Sequence, residues 1–200
     1  MPDTVAHLAP GMQAGPWEGL HPPYSTIVAD PPWPYPGGVS AGGTPGDPVK
    51  SFDLRYSAMS LDDISALPLV DLVADDAWLF LWATNRYLAF AFGLLPAWGF
   101  RYRQMIVWHK PGASPFGGTF AANGAEFLIA AARGDPAVRQ RWGGWSVIRV
   151  NRPGAGRHST KPGVFADLIE HCTDGPYLEL FARQPRLGWD SWGWGYEDAR

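Results

Sequence analysis

Apolar positions along the chain fall into short unbroken runs separated by stretches rich in glycine and proline. Ser25 to Ala29 is a β-branched run that reads as a buried strand, and it stops at Asp30, followed by Pro31, Pro32 and Trp33. Ala77 to Ala83, AWLFLWA, is apolar on both faces and reads as a central buried strand. Phe100 to Lys110, Glu126 to Ala132, a short Trp145 to Val150 and Pro176 to Arg183 read as further strands. Between them the spacing changes to that of helices. Ser60-Leu61-Asp62-Asp63 resembles a capping box and predicts a helix toward Val73, with Leu61, Ile64, Leu67 and Val70 inward and Pro68 ending or kinking it. Thr84 begins a helix to about Trp98, closed by Gly99, and Thr160 to His171 reads as a helix opened by Lys161 and Pro162.

Strands alternating with helices predict an α/β sheet. The chain of 200 residues suits one domain over residues 25–200, preceded by a Pro- and Gly-rich arm over residues 1–24. Residues 34–54 hold five glycines and four prolines directly after the first strand, which reads as a lid or binding loop. Residues 184–200 read as a Trp- and Gly-rich tail.

A net charge of −3 gives no global basic field, so a polyanion would have to meet a local patch. Six arginines, Arg133, Arg139, Arg141, Arg149, Arg152 and Arg157, are candidates for that patch. Cys172, the single cysteine, excludes an internal disulfide and reads as helix packing. Five scattered histidines without paired spacing predict no metal site. With no apolar run of membrane-spanning length and no leader pattern, the expected location is the cytoplasm.

The chemistry that the pattern suggests is concentrated at Asp30-Pro31-Pro32-Trp33. At the carboxyl end of a strand in an open α/β sheet, Asp30 points into the crevice where ligands bind. Two prolines stiffen the rim and add carbonyls without N–H groups of their own. Asp30 and the Pro31 carbonyl can accept both hydrogens of a planar amino group while Trp33 stacks on its ring. The plainer reading is a proline-terminated turn, with Asp30 capping backbone and Trp33 in the core.

Four stretches in register add to this: Asp30-Pro31-Pro32-Trp33, Tyr56-Ser57-Ala58-Met59-Ser60, His158-Ser159-Thr160-Lys161-Pro162 and Glu179-Leu180-Phe181-Ala182-Arg183. Together they resemble the MT-A family of N6-adenine methyltransferases, over roughly residues 25–195. The resemblance implies a Rossmann-like S-adenosylmethionine-dependent methyltransferase fold. Its central sheet is mostly parallel and flanked by helices, with the catalytic motif before the cofactor motif.

The same resemblance assigns residues. Asp30, Pro31, Pro32 and Trp33 are the catalytic stretch, and Trp33 and Tyr56 are the stacking surfaces for a target base. Asp30, Ser159, Lys161, Phe181 and Arg183 lie on the cofactor side, with Lys161 toward the methionine carboxylate and Arg183 toward the ribose. Ser159 and Thr160 also read as caps for the helix that follows. His158 reads as a hydrogen-bonding loop residue. Glu126 matches a family acid without an assigned role.

Departures concern the adenosine end of the cofactor pocket: Trp194 replaces an asparagine, with Glu197 nearby as a substitute polar group, and Pro185 and Arg186 replace a histidine and an asparagine. The expected substrate is nucleic acid, DNA ahead of RNA. A protein partner or a second copy would supply target selection, and a non-catalytic nucleic-acid-binding relative is the alternative of a different class.

Overall fold

The longest apolar run of the sequence lies at the middle of a seven-stranded sheet. A computed structural model describes residues 17, 19–34, 59–112, 120–153, 160–183 and 185–193. In chain order the elements are β1 (Tyr24–Ala29), α1 (Leu61–Ser65), β2 (Val73–Ala83), α2 (Leu88–Ala97), β3 (Arg101–His109), β4 (Ala125–Arg133), β5 (Val147–Arg149), α3 (Gly163–Cys172), β6 (Tyr177–Leu180) and β7 (Trp189–Trp192). The strands lie in the order β5-β3-β4-β2-β1-β6-β7. β4 is antiparallel to both its neighbours, and the other adjacent pairs are parallel. One edge of the sheet therefore collects the carboxyl ends of six strands together with the start of β4.

Alternate residues of the central strands feed two cores. Ile27, Leu79 and Leu81 face one side with Leu94 and Leu95 of α2. Val28, Phe80 and Trp82 face the other, against Phe165, Leu168 and Ile169 of α3. This two-sided burial is why the parallel strands read as continuous apolar runs.

The expected mostly parallel α/β architecture is present, and several boundaries differ from those read in sequence. The helix expected from Ser60 toward Val73 stops at Ser65. Ser60 does cap it, its Oγ accepting from the Asp63 N–H at 3.0 Å, but Pro68 breaks the run into a 3₁₀ turn at Leu69–Asp71. β2 then begins at Val73, opposite Tyr24 of β1. α3 starts at Gly163, after an N-cap at Pro162 that makes no side-chain cap bond, so the capping role expected of Thr160 is not realised. Within the expected tail, Trp189–Trp192 is an edge strand paired to β6. Its two indoles, three residues apart, fall in opposite cores, Trp189 on the α3 side and Trp192 on the α2 side. The arm up to residue 16, most of the loop after Trp33 and the residues beyond Gly193 lie outside the described residues. Among the described residues no helix is long and apolar enough to cross a membrane.

β6 ends abruptly because Phe181 takes φ 63°, a left-handed conformation that a bulky side chain rarely adopts. The turn is locked from β7: the Ala182 N–H donates to the Trp192 carbonyl at 3.1 Å, and the Phe181 ring meets the Trp192 edge at 5.7 Å. Gly193, φ 152°, lies so close that a Cβ there would stand 2.6 Å from Ala182 N and Phe181 Cα. Backbone cannot yield as a flexible side chain does. Gly193→Ala is therefore expected to destabilise the protein by about 1–3 kcal/mol, read as a lowered Tm in thermal denaturation followed by circular dichroism; an unchanged Tm would contradict the packing described.

Candidate active site

Five charged side chains from separate segments meet at the carboxyl edge of the sheet. Asp30 follows β1 directly, its N–H donating to the Leu180 carbonyl of β6 at 3.4 Å. Lys161 stands before α3, Arg183 follows β6, and Lys110 follows β3. Glu126 joins them because β4 runs in reverse, so that its first turn, not its last, lies at this edge.

Lys161 is the centre of the cluster. Its Nζ lies 2.7 Å from Asp30 Oδ2 and 3.3 Å from Glu126 Oε2, 5.1 Å above the Trp82 ring. Arg183 Nη2 approaches the same Asp30 oxygen at 3.6 Å. Lys110 Nζ pairs with the other Glu126 oxygen, over the Trp108 ring at 5.0 Å. Burial opposes the charge on Lys161, but Asp30 and Glu126 outweigh it and hold its pKa above the ordinary lysine value. For Glu126 burial likewise works against ionisation, and Lys161 and Lys110 overcome it, leaving the carboxyl below the usual range. Lys110 goes the other way: burial, the largest influence, lowers its pKa despite Glu126. Glu179, on β6, is raised by burial and by the charge of Asp30.

Asp30, Lys161, Glu179 and Arg183 form the polar side of a cavity of about 240 Å³, with Phe165 and Trp189 among its apolar walls. A ligand carrying both charges on one end and a flat or apolar body on the other suits such a lining, since ammonium and carboxylate each find a counter-charge. Pro185 and Arg186, flagged in sequence as departures, also line it. Arg186 is clamped to α3, its Nε and Nη2 donating to the two Glu170 oxygens at 2.7 and 2.8 Å and Nη2 to Asp167 at 2.9 Å. Trp189 Nε1 donates to Glu170 at 2.6 Å, so one carboxylate fixes both an indole and a guanidinium of the wall.

Asp30, Lys161, Phe181 and Arg183, predicted from sequence, are thus brought together; Tyr56, Ser159, His158, Trp194 and Glu197 lie outside the described residues. Trp33 is a correction. It is 6% exposed, stacked on Tyr87 at 5.3 Å and donating its indole N–H to the Trp82 carbonyl at 3.2 Å, so it anchors the rim in the core and presents no plate to a base. The proline carbonyls are not free of donors either: Pro31 accepts from the Trp33 N–H at 2.8 Å and Pro32 from the Met59 N–H at 3.1 Å. A carbonyl has a second lone pair, which leaves Pro31 one acceptor position.

The arginine cluster divides between the two ends of the sheet. Arg149 ends β5 beside His109, and Arg152 lies close enough to Lys110 to influence its charge. Arg133 ends β4 at the opposite edge, where Arg139 donates to the last carbonyls of α3, those of Glu170 and His171. Arg141 supplies a carbonyl near His171 there, and Arg157 lies outside the described residues. Sequence reasoning left Glu126 without a role and passed over Lys110. The usable signal was a lysine closing one strand and a glutamate opening the next.

Comparison with known proteins finds one family and several relatives. The family model described as MT-A70 matches residues 24–195. The type II methyltransferase M.MunI of a Mycoplasma species is 30% identical over 183 residues, covering 85% of this chain and 76% of that protein. The N6-methyladenosine RNA methyltransferase MTA1 of Cryphonectria parasitica is 30% identical over 189 residues, and the human N(6)-adenine-specific methyltransferase METTL4 is 29% identical over 198. The chain spans 51% and 37% of the lengths of these two.

The ionic chain sets a pH response. Glu126, depressed in the folded state, contributes stability that is complete above its unfolded value and is lost as pH falls through the folded one. In Lys161→Met the Glu126 carboxyl midpoint should move upward in a carbon-13 NMR titration; an unmoved midpoint would contradict the coupling.

Proposed function

The chain belongs to the MT-A70 family, and on that premise we propose that it transfers the methyl group of S-adenosylmethionine to the N6 amine of adenine in nucleic acid, with DNA as the first substrate. DNA stands first because the type II methyltransferase is matched over 76% of its length, against 51% for the fungal RNA enzyme. RNA is the alternative that the fungal relative keeps in view.

The single observation that carries the reading is the convergence of Asp30, Lys161 and Arg183, from three segments, on one cavity. The donor set fits the cofactor: Lys161 suits its carboxylate, Arg183 its ribose, Asp30 its ammonium and sulfonium, and the aromatic wall its flat nucleoside. When bound, it supplies a methyl group on a positively charged sulfur, open to direct displacement.

The residues of the chain perform the remaining work. An adenine amine is a weak nucleophile because its lone pair is delocalised into the ring. Asp30 accepts one amine hydrogen and the remaining lone pair of the Pro31 carbonyl accepts the other, which holds the nitrogen and favours its pyramidal form. Most of the rate then comes from orientation and from charges already in place. Lys161 bridges the halves of the site: it holds the carboxylate of the cofactor while its contacts with Asp30 and Glu126 keep it at the boundary. The extra proton on the methylated nitrogen is strongly acidic and passes to water after the transfer, so no strong base is required. Trp33 serves by fixing the rim.

Titration calorimetry with S-adenosylmethionine, followed by methyl-transfer assays on DNA and RNA oligonucleotides containing adenine, tests the reading. Binding followed by transfer is expected, and absence of cofactor binding would overturn it. Asp30→Asn should lower the transfer rate by about 10²–10³-fold, and because it removes the counter-charge of Lys161 it should also lower the Tm, so the rate is read well below the unfolding transition of the variant; unchanged turnover would refute the role of Asp30.

A further inference from the structure

Asp30 lies below the rim of the sheet, its side chain only 15% exposed, so an adenine stacked within a duplex cannot bring its amine to that carboxylate without leaving the helix. A protein that extracts a base does better with an apolar side chain to occupy the gap and with cations to hold the flanking phosphates. Both are present on one side of the site.

Phe120 lies on the loop between β3 and β4 and is 99% exposed. The neck of that hairpin is closed by the Lys110 N–H donating to the Gly124 carbonyl at 2.8 Å. Just inside the neck, Lys110 and Glu126 join the ionic chain to Lys161 and Asp30. The loop that carries the phenyl ring is therefore anchored on the site itself.

Its position separates it from the other exposed large apolar residues. Among the described residues, Val70, Tyr102, Val147 and Leu187 lie before or at the start of strands β2, β3, β5 and β7, and Val138 and Trp145 lie between the far end of β4 and the start of β5. Phe120 is the one of the set placed on the crossing at the carboxyl edge. Exposed arginines stand on the same edge: Arg149, paired with His109 across β3 and β5, and Arg152 after it. Hydrophobic exposure next to positive charge favours nucleic acid over a protein partner, whose apolar patch would be met by apolar neighbours.

We propose that Phe120 is a wedge that enters a duplex beside the target adenine and fills the space the base leaves, while Arg149 and Arg152 hold the adjacent backbone. This rests on the methyltransferase reading and specifies its substrate as duplex nucleic acid. Phe120 touches the stack, not the reacting atoms, so it is a positioning residue. Its contribution is confined to substrates that must be opened.

The test compares one target sequence as a single strand and as a duplex. Phe120→Ala should reduce kcat/KM on the duplex by about tenfold or more and leave the single strand within about twofold, because only the duplex has stacking to replace. Phe120→Leu, which keeps an apolar wedge, should recover most of the loss. With 2-aminopurine in place of the methylated adenine, wild type should raise the fluorescence of the duplex and Phe120→Ala should not, while fluorescence anisotropy shows both bound. Equal losses on the two substrates, no loss on either, or a wild type that methylates single strands alone would overturn the wedge. Failure to methylate adenine in any nucleic acid would instead overturn the reading on which it rests.

Discussion

The ion pair between Lys161 and Asp30 is the contact on which the site depends. The two residues are 131 positions apart, yet their charged atoms lie 2.7 Å apart. That approach requires β1 to end and α3 to begin at the same edge of one sheet. Charges at such depth are stable only in balanced groups, since each isolated one would lose far more in hydration than it gains. Here three carboxyl groups, Asp30, Glu126 and Glu179, stand among three basic groups, Lys110, Lys161 and Arg183. Lys161, on the wall of the cavity, can meet a ligand that brings a carboxylate. The cluster is thus both a fold constraint and an incomplete binding site.

The reversed strand explains how the cluster is closed. Were β4 parallel to its neighbours, Glu126 would lie at the opposite edge and Lys161 would answer to Asp30 alone. Reversal brings an acid to the edge where every other strand ends. It also brings Lys110 and Gly124, the two ends of the β3–β4 connection, to that edge. One topological choice therefore supplies both the acid of the ionic chain and the connection on which Phe120 lies.

Much of this was legible in the sequence wherever apolar patterning and chemistry coincided. β1, β2 and α2 with its closing Gly99 follow from unbroken apolar runs, and Asp30 from the point where the first run stops, whereas Lys161 and Arg183 came from the resemblance of their motifs to the family. β7 was hidden because its two tryptophans serve opposite cores three residues apart, which erases the alternation expected of a half-buried strand. Trp33 was misread for a related reason: an indole after a proline pair can stack outward or inward, and only Tyr87 and the Trp82 carbonyl, distant in sequence, decide it. The arginines between 133 and 152 are neighbours along the chain but are divided by β5, which carries the chain from one edge of the sheet to the other, and linear clustering cannot reveal this.

The account stands or falls on the identity of the product. DNA containing adenine, incubated with the protein and methyl-labelled S-adenosylmethionine, digested to nucleosides and analysed by mass spectrometry, should yield labelled N6-methyladenine. Label on another atom or another base, or none in DNA and RNA alike while the cofactor binds, would contradict the assignment of Asp30 as the residue that holds the adenine amine.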